Sequence, residues 1–304
     1  MHVTGVGQCS LDLLAVVDRY PRVDSKKEVL GWHEQGGGPV ATALVTLSRL
    51  GVASRFYGVV GDDEAGVKIR KGLAEEGVDA SGIKVVNGAA SQIAFIVIEK
   101  KTARRTIFWR RPTGGELTAE DLPDTFPDET DFVLIDGLMA DVSLDATRKA
   151  RERGIPVMVD AGRMRPRMPE IAKLSDYVVA SVDFARDLGW RLTRDTLLRE
   201  RERLGVKALT VTLGSRGSLT AAGEDFYDVQ AHAVDAVDTT GAGDVFHGGY
   251  IYGLLRGWGL SETVNFASAV AAMKCRAVGG RTAIPRLHEV REFMAERGHS
   301  IADV

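Results

Sequence analysis

Short apolar runs rich in β-branched residues recur along the chain: HVTGVG at 2–7, FYGVVG at 56–61, FVLIDG at 132–137, PVMVD at 156–160, YVVAS at 177–181 and ALTVTLG at 208–214. Their brevity and continuity predict strands buried on both faces. Between them, apolar positions at helical spacing over 41–50, 64–76, 143–153 and 184–190 predict helices. Strand and helix alternating in this way predict an α/β fold whose mostly parallel sheet is covered on both sides. Two segments break the rhythm. Residues 11–35 and 91–111 alternate polar and apolar positions, as half-exposed antiparallel strands do, and predict a small accessory sheet inserted into a single domain spanning 1–304.

With 304 residues, 44% of them hydrophobic and 27% charged, the chain can bury a large core. A net charge of −3, no long basic run and no apolar stretch near 18 residues disfavour nucleic acid and membrane as partners. The two cysteines, Cys9 and Cys275, lie in apolar segments without metal-ligand spacing, which argues against zinc and against a disulfide framework. The opening MHVTGVGQCSLDLL lacks a secretion-signal pattern, and a cytoplasmic location is expected.

The string DTTGAGD at 238–244 runs straight into the apolar VFHGGYIYGLL. Small residues at a helix start let Gly241, Ala242 and Gly243 bring bare main-chain N–H groups up to an anion. Asp244 would repel a phosphate unless it had work to do, and accepting the proton of a hydroxyl that attacks phosphorus is such work. Read alone, the same string is a glycine-rich helix cap.

A second glycine turn, GGGPVATALVTLSRLG at 36–51, also feeds a helix. Gly37 and Gly38 can let a ligand lie against the backbone, and Thr42 can present a hydroxyl. Asp12 follows a strand and can chelate two sugar hydroxyls or simply be a solvated turn residue. TLGSRGS at 212–218 either holds nucleotide phosphates through its amides, with Arg216 adding charge, or is a hairpin turn. Arg104, Arg105, Arg110 and Arg111 fall on the accessory segments with Lys26 and Lys27. Edge-strand cations are usually solvated, but strand alternation lets one of Arg110 and Arg111 point inward, and Arg110 is the candidate for an anionic substrate substituent. GVGQCS at 5–10 lacks the third glycine of a dinucleotide fingerprint, which disfavours a dehydrogenase.

Together and in this order, the motifs at 37–51, 212–217 and 238–244 resemble the ribokinase-like (PfkB) carbohydrate kinase family, and the likeness covers essentially the whole chain. Thr42 stands where ribokinases usually carry a sugar-binding asparagine. Ser181 and Phe184 stand where many members carry an Asn-x-x-Glu motif that organises Mg²⁺, so no protein ligand for the metal is named. The segments at 20–28, 104–109, 178–189 and 271–280 resemble ketohexokinase and, in part, bacterial sulfofructose kinases.

The resemblance implies a three-layer α/β/α domain with a β lid made from 11–35 and 91–111. It implies ATP and Mg²⁺ as cofactors and phosphoryl transfer to a ketose, either fructose-like or an anionic 6-substituted analogue. By matching position, Asp244 is the base, the amides of 241–243 form the anion hole, and Asp12, Gly37, Gly38 and Thr42 hold the sugar. Thr212, Gly214, Ser215, Gly217, Ser268 and Lys274 border the nucleotide. The Asp238 segment holds a monovalent cation, K⁺, in some relatives, and a homodimer through the lids is common. A nucleoside kinase of the same fold and a non-catalytic sugar or nucleotide sensor are the alternatives.

Overall fold

The computed structural model describes residues 1–299 and 301. Its strands, in chain order, are β1 (His2–Val6), β2 (Ser10–Val17), β3 (Gly31–Gly37), β4 (Ala53–Gly61), β5 (Val78–Val86), β6 (Ile93–Glu99) and β7 (Arg104–Arg110). There follow β8 (Phe132–Ile135), β9 (Val157–Ala161), β10 (Tyr177–Ser181), β11 (Ala208–Thr212), β12 (Ser218–Ala222) and β13 (Asp225–Val229). The helices are α1 (Pro39–Arg49), α2 (Glu64–Glu75), α3 (Ala140–Glu152), α4 (Met168–Leu174) and α5 (Val182–Asp187). After them come α6 (Arg194–Leu204), α7 (Ala242–Leu255), α8 (Leu260–Lys274) and α9 (Leu287–Ala295).

Nine strands form one sheet in the order β13-β12-β11-β10-β9-β8-β1-β4-β5. It is parallel except at β12 and β13, which fold back antiparallel at one edge. Helices cover both faces, as the apolar runs predicted. Period-two alternation distributes the strand side chains between two layers: Leu134, Met158 and Val179 join the core under α1, α7 and α8, while Val133, Val159, Val178 and Ala180 pack on the opposite face. Each fully buried Leu or Val contributes about 1.5–3 kcal/mol, and these cores fix the carboxyl ends of the strands as a rigid rim.

The remaining four strands make a small sheet in the order β3-β2-β6-β7. Two antiparallel hairpins, β2–β3 and β6–β7, supply it, but they join through a parallel pairing of β2 with β6. This corrects the expectation of a purely antiparallel accessory sheet. Alternation reports which side chains share a face and is silent on strand direction. The segment 18–30 between β2 and β3 contains no strand.

Helix α7 packs closely against its neighbours because glycines face them. A Cβ on Gly248 would meet the Ala43 carbonyl oxygen at 2.7 Å, and one on Gly249 would meet the Ala267 Cα at 2.9 Å. This close packing seats the first turn of α7 at the rim of the large sheet.

Candidate active site

The string 238–244 forms a loop that caps α7. Asp238 is fully buried, and its carboxylate shapes the loop: one oxygen accepts from the Thr240 N–H at 2.9 Å and hydroxyl at 2.7 Å, the other from the Gly279 N–H at 2.8 Å. Gly241 turns the chain with φ 75°, and a Cβ there would stand 2.9 Å from the Gly280 Cα, so both conformation and space demand glycine. The Ala242 N–H donates to the Thr239 carbonyl at 3.2 Å, which removes it from the three amides expected to face an anion. No acceptor among the described residues meets the N–H groups of Gly241, Gly243 or Asp244. These open donors, at the positive end of a 14-residue helix, suit a phosphoryl group.

Asp244 is partly buried among other charges. Burial pushes its carboxyl up to about 6, the negative Asp160 and Asp12 add to the rise, and His247 and Arg105 oppose it. His247 Nδ1 donates to the Gly243 carbonyl at 2.7 Å, while Nε2 lies 3.6 Å from Asp160 Oδ1. Asp160 is the fourth residue of β9, at the carboxyl end of the sheet. A carboxylate raised in this way remains mostly ionised at neutral pH yet is basic enough to take a proton.

Across from it stands Asp12 on β2, buried, with Oδ1 accepting from the Ser10 hydroxyl at 2.6 Å. Burial raises its carboxyl too, and Ser10 and Arg281 pull it back. Any side chain on Gly37 would collide with this carboxylate, and Gly38, at φ 97°, is the N-cap of α1. Thr42 is 1% exposed and its hydroxyl accepts from Arg281 Nε at 3.3 Å, so it belongs to the floor of this region.

The β2, β6 and β7 registers put Asp12, Ala94 and Trp109 on one face, and Leu11, Ile93 and Arg110 on the other. Arg110, expected to meet the substrate, therefore points away from Asp12, and its Nη2 donates to the Ser91 carbonyl at 3.4 Å. Arg105 shares the Asp12 face instead, and its Nη1 donates to the Thr239 hydroxyl at 2.7 Å, linking the small sheet to the loop at 238–241.

A cavity of about 430 Å³ adjoins the loop. Thr212, Gly214, Ser215, Gly217 and Ser268 line it together with Thr239 and Gly243, so five of the six residues expected at the nucleotide converge. Ala231, Val234, Phe246 and Ala271 make its apolar wall. Lys274 stands apart: it is fully buried and its Nζ donates to the Asp238 carbonyl at 2.8 Å. Burial pulls its ammonium down and the Asp238 charge holds it up. Ser181 caps α5, accepting from the Asp183 and Phe184 N–H groups at 3.1 Å, and Phe184 is a core residue. Among the described residues no three His, Cys, Asp or Glu side chains cluster as a metal site.

Asp160, His247 and Arg281 belong to the site without lying among the residues its sequence motifs single out. An acidic residue closing an apolar parallel strand was a usable signal for Asp160. Nothing local marked the other two.

Residues 2–287 match the pfkB family carbohydrate kinases. The chain is 27% identical over 301 residues to an ATP-dependent ribose-1-phosphate kinase from Halopiger xanaduensis, covering 98% of this chain and 99% of that one. It is 30% identical over 291 residues to an aminoimidazole riboside kinase from Salmonella typhimurium, covering 88% and 89%. Among solved structures, a ribokinase from Thermotoga maritima superposes with a TM-score of 0.82 at 25% identity, covering 96% of this chain and 99% of that one. No helix among the described residues is long and apolar enough to cross a membrane.

Proposed function

Because the chain belongs to the pfkB family of carbohydrate kinases, we propose that it transfers the γ-phosphoryl group of ATP to a hydroxyl of a small sugar, with a ketose as the acceptor. The observation that carries this reading is Asp244: a raised carboxylate, next to unpaired helix-start N–H groups, that feels the charge of Asp12 on the small sheet. The ketose choice rests on the ketohexokinase-like segments 20–28, 104–109, 178–189 and 271–280. A nucleoside acceptor is the second reading, favoured by the identity to the riboside kinase.

In this mechanism the adenine occupies the apolar wall of the 430 Å³ cavity and the triphosphate runs along 212–217 towards α7. The sugar lies on Asp12 and the Gly37–Gly38 turn, and the half-exposed Trp109 indole offers an apolar face above it. Asp244 orients the acceptor hydroxyl and takes its proton as the oxygen bonds to phosphorus. The proton leaves late in a loose transition state, so a carboxylate suffices. The N–H groups of Gly241, Gly243 and Asp244 hold the transferring oxygens, and such preorganised donors are worth roughly 3–4 kcal/mol of barrier. Arg105 adds charge from the small sheet, which acts as a lid and excludes water.

Two neighbouring carboxylates, Asp160 and Asp244, fit a site that works beside a divalent cation, and Asp160 would hold Mg²⁺ through water. Bound there, Mg²⁺ would neutralise charge on the phosphates. At Asp238 the place implied for a monovalent cation is served, in this reading, by the Lys274 ammonium. A homodimer forms through the outer face of the lid, where Trp32, Phe95 and Phe108 are exposed side by side with centroids 5.9 and 6.4 Å apart.

The test is a coupled ADP-release screen with Mg²⁺ over ketoses, aldoses, sugar phosphates and nucleosides. Turnover highest on a ketose is expected. Turnover on nucleosides alone would transfer the protein to the second reading, and none on any acceptor would refute both.

A further inference from the structure

Three consecutive residues, Gly279, Gly280 and Arg281, touch both halves of the cleft. Gly279 donates its N–H to Asp238, and Gly280 presses on Gly241, so this segment backs the phosphate loop. One residue later the chain serves the other half. The Arg281 N–H donates to Gln35 Oε1 at 3.2 Å, its Nη2 to the Gly37 carbonyl at 3.0 Å, and its Nε to the Thr42 hydroxyl at 3.3 Å. Any side chain on Gly36 would run into Nη1. The Arg281 carbonyl is itself pinned by Arg49 Nη1 at 2.9 Å, and Arg49 is locked to Glu76 by two bonds of 2.6 and 2.8 Å.

Arg281 is 5% exposed, and no carboxylate among the described residues lies within ion-pair distance of its guanidinium. A buried arginine left with a carbonyl and a hydroxyl as its partners is costly, and hydrophobic packing would stabilise the fold more cheaply. Its geometry supplies what packing could not. A planar fork fixes two groups at once, one in the glycine turn and one on the first turn of α1. Its charge also favours ionised Asp12 against the effects of burial and of Asp238, while Ser10 adds a hydrogen bond.

We propose that Arg281 is the positioning residue for the acceptor: without touching the sugar, it sets the shape of the Gly37–Thr42 turn and keeps Asp12 an acceptor of hydroxyl hydrogen bonds, while Gly279 and Gly280 tie that turn to the phosphate loop. The inference rests on the sugar-kinase reading above. It adds that acceptor affinity depends on a residue 239 positions away in sequence from the threonine it holds.

Arg281→Gln and Arg281→Lys separate shape from charge. Both lose the fork, so each is expected to raise the acceptor KM about tenfold, with KM for ATP changed less than about twofold. Only Arg281→Gln loses the charge. In that variant the acid limb of acceptor kcat/KM is expected to move to higher pH, whereas Arg281→Lys keeps the wild-type limb. Thr42→Val, which removes one acceptor of the fork, reports on the same turn if Arg281→Gln does not fold, and is expected to raise acceptor KM alone. Lowered melting temperature with unchanged acceptor KM and pH profile, in whichever variants fold, would overturn the proposal. Failure of the wild-type protein to phosphorylate any sugar would instead count against the functional reading on which it rests.

Discussion

Replacing Asp244 with asparagine should make the protein slower and more stable at the same time. The substitution keeps size and hydrogen-bonding capacity but removes the proton acceptor, and loss of a positioned general base costs about 10²–10⁴ in kcat. The stability change follows from the same environment. Burial and the negative Asp160 raise the carboxyl from 3.8 to about 6. That rise corresponds to about 3 kcal/mol of folded-state destabilisation by the charge. Since the folded form binds this proton more tightly than the unfolded chain, the penalty is absent below about pH 4, grows between 4 and 6, and is complete above.

Asp244→Asn should therefore melt several degrees higher than wild type at pH 8, with the gap closing as pH falls to 4. Differential scanning calorimetry across that range, paired with coupled ADP-release assays, reads both effects. Wild-type kcat/KM should show an acid limb near pH 6 that the variant's residual rate lacks. Near-normal turnover, or a lower melting temperature at pH 8, would refute the reasoning.

Arg105→Ala should lower kcat about 10–100-fold with little change in nucleotide affinity, because Arg105 reaches Thr239, before the start of α7, from the small sheet; an effect confined to ATP binding by calorimetry would remove it from the transfer step. Lys274→Met removes the ammonium that donates to the buried Asp238 carbonyl and should cost about 1–3 kcal/mol by denaturant melts, while wild-type turnover should be equal in K⁺ and choline buffers. A wild-type requirement for K⁺ would show that the Asp238 segment needs an ion of its own. Phe108→Glu places charge in the exposed aromatic cluster and should convert a dimer to monomer in sedimentation velocity; a wild type that already sediments as a monomer would dispose of the interface.

The parallel part of the large sheet was legible because doubly buried strands leave continuous apolar runs: all six runs named lie on strands, five of them within two residues at both ends and 56–61 starting three residues inside β4. The run 208–214 overshoots β11 by two residues because Leu213 and Gly214 already belong to the turn that leads back into β12. Its antiparallel edge escaped notice. SLTAAGEDFYDV at 218–229 mixes small, acidic and aromatic residues, and β13 is half exposed, so neither a buried run nor a clean alternation appears. The site divides in the same way. Gly241, Gly243 and Asp244 stand out locally, since a helix start with open N–H groups constrains its own few residues. Asp160, Arg105 and Arg281 gain their significance only from contacts with distant residues, 134 positions apart for Arg105 and Thr239.

The error over Arg110 shows where local reasoning stops. Alternation sorts β7 into two sets, with Arg105, Ile107 and Trp109 on one side and Arg104, Thr106, Phe108 and Arg110 on the other, and that division can be made from the sequence alone. All seven residues are exposed, so hydrophobicity does not say which set faces the cleft. The deciding information lies in the partner strand: β6 buries Ala94, Ile96 and Ile98 on the Asp12 face, and register then carries Trp109, Ile107 and Arg105 to that side. One-residue parity thus assigns Arg105 to Thr239 and its loop, Trp109 to the Asp12 face and Phe108 to the outer surface. A slip of one residue in β7 would exchange all three roles. Because cross-strand register holds them, a single insertion between Lys100 and Arg104 that preserved the hairpin but shifted β7 by one position should abolish turnover while leaving the large sheet, and with it ATP binding, intact.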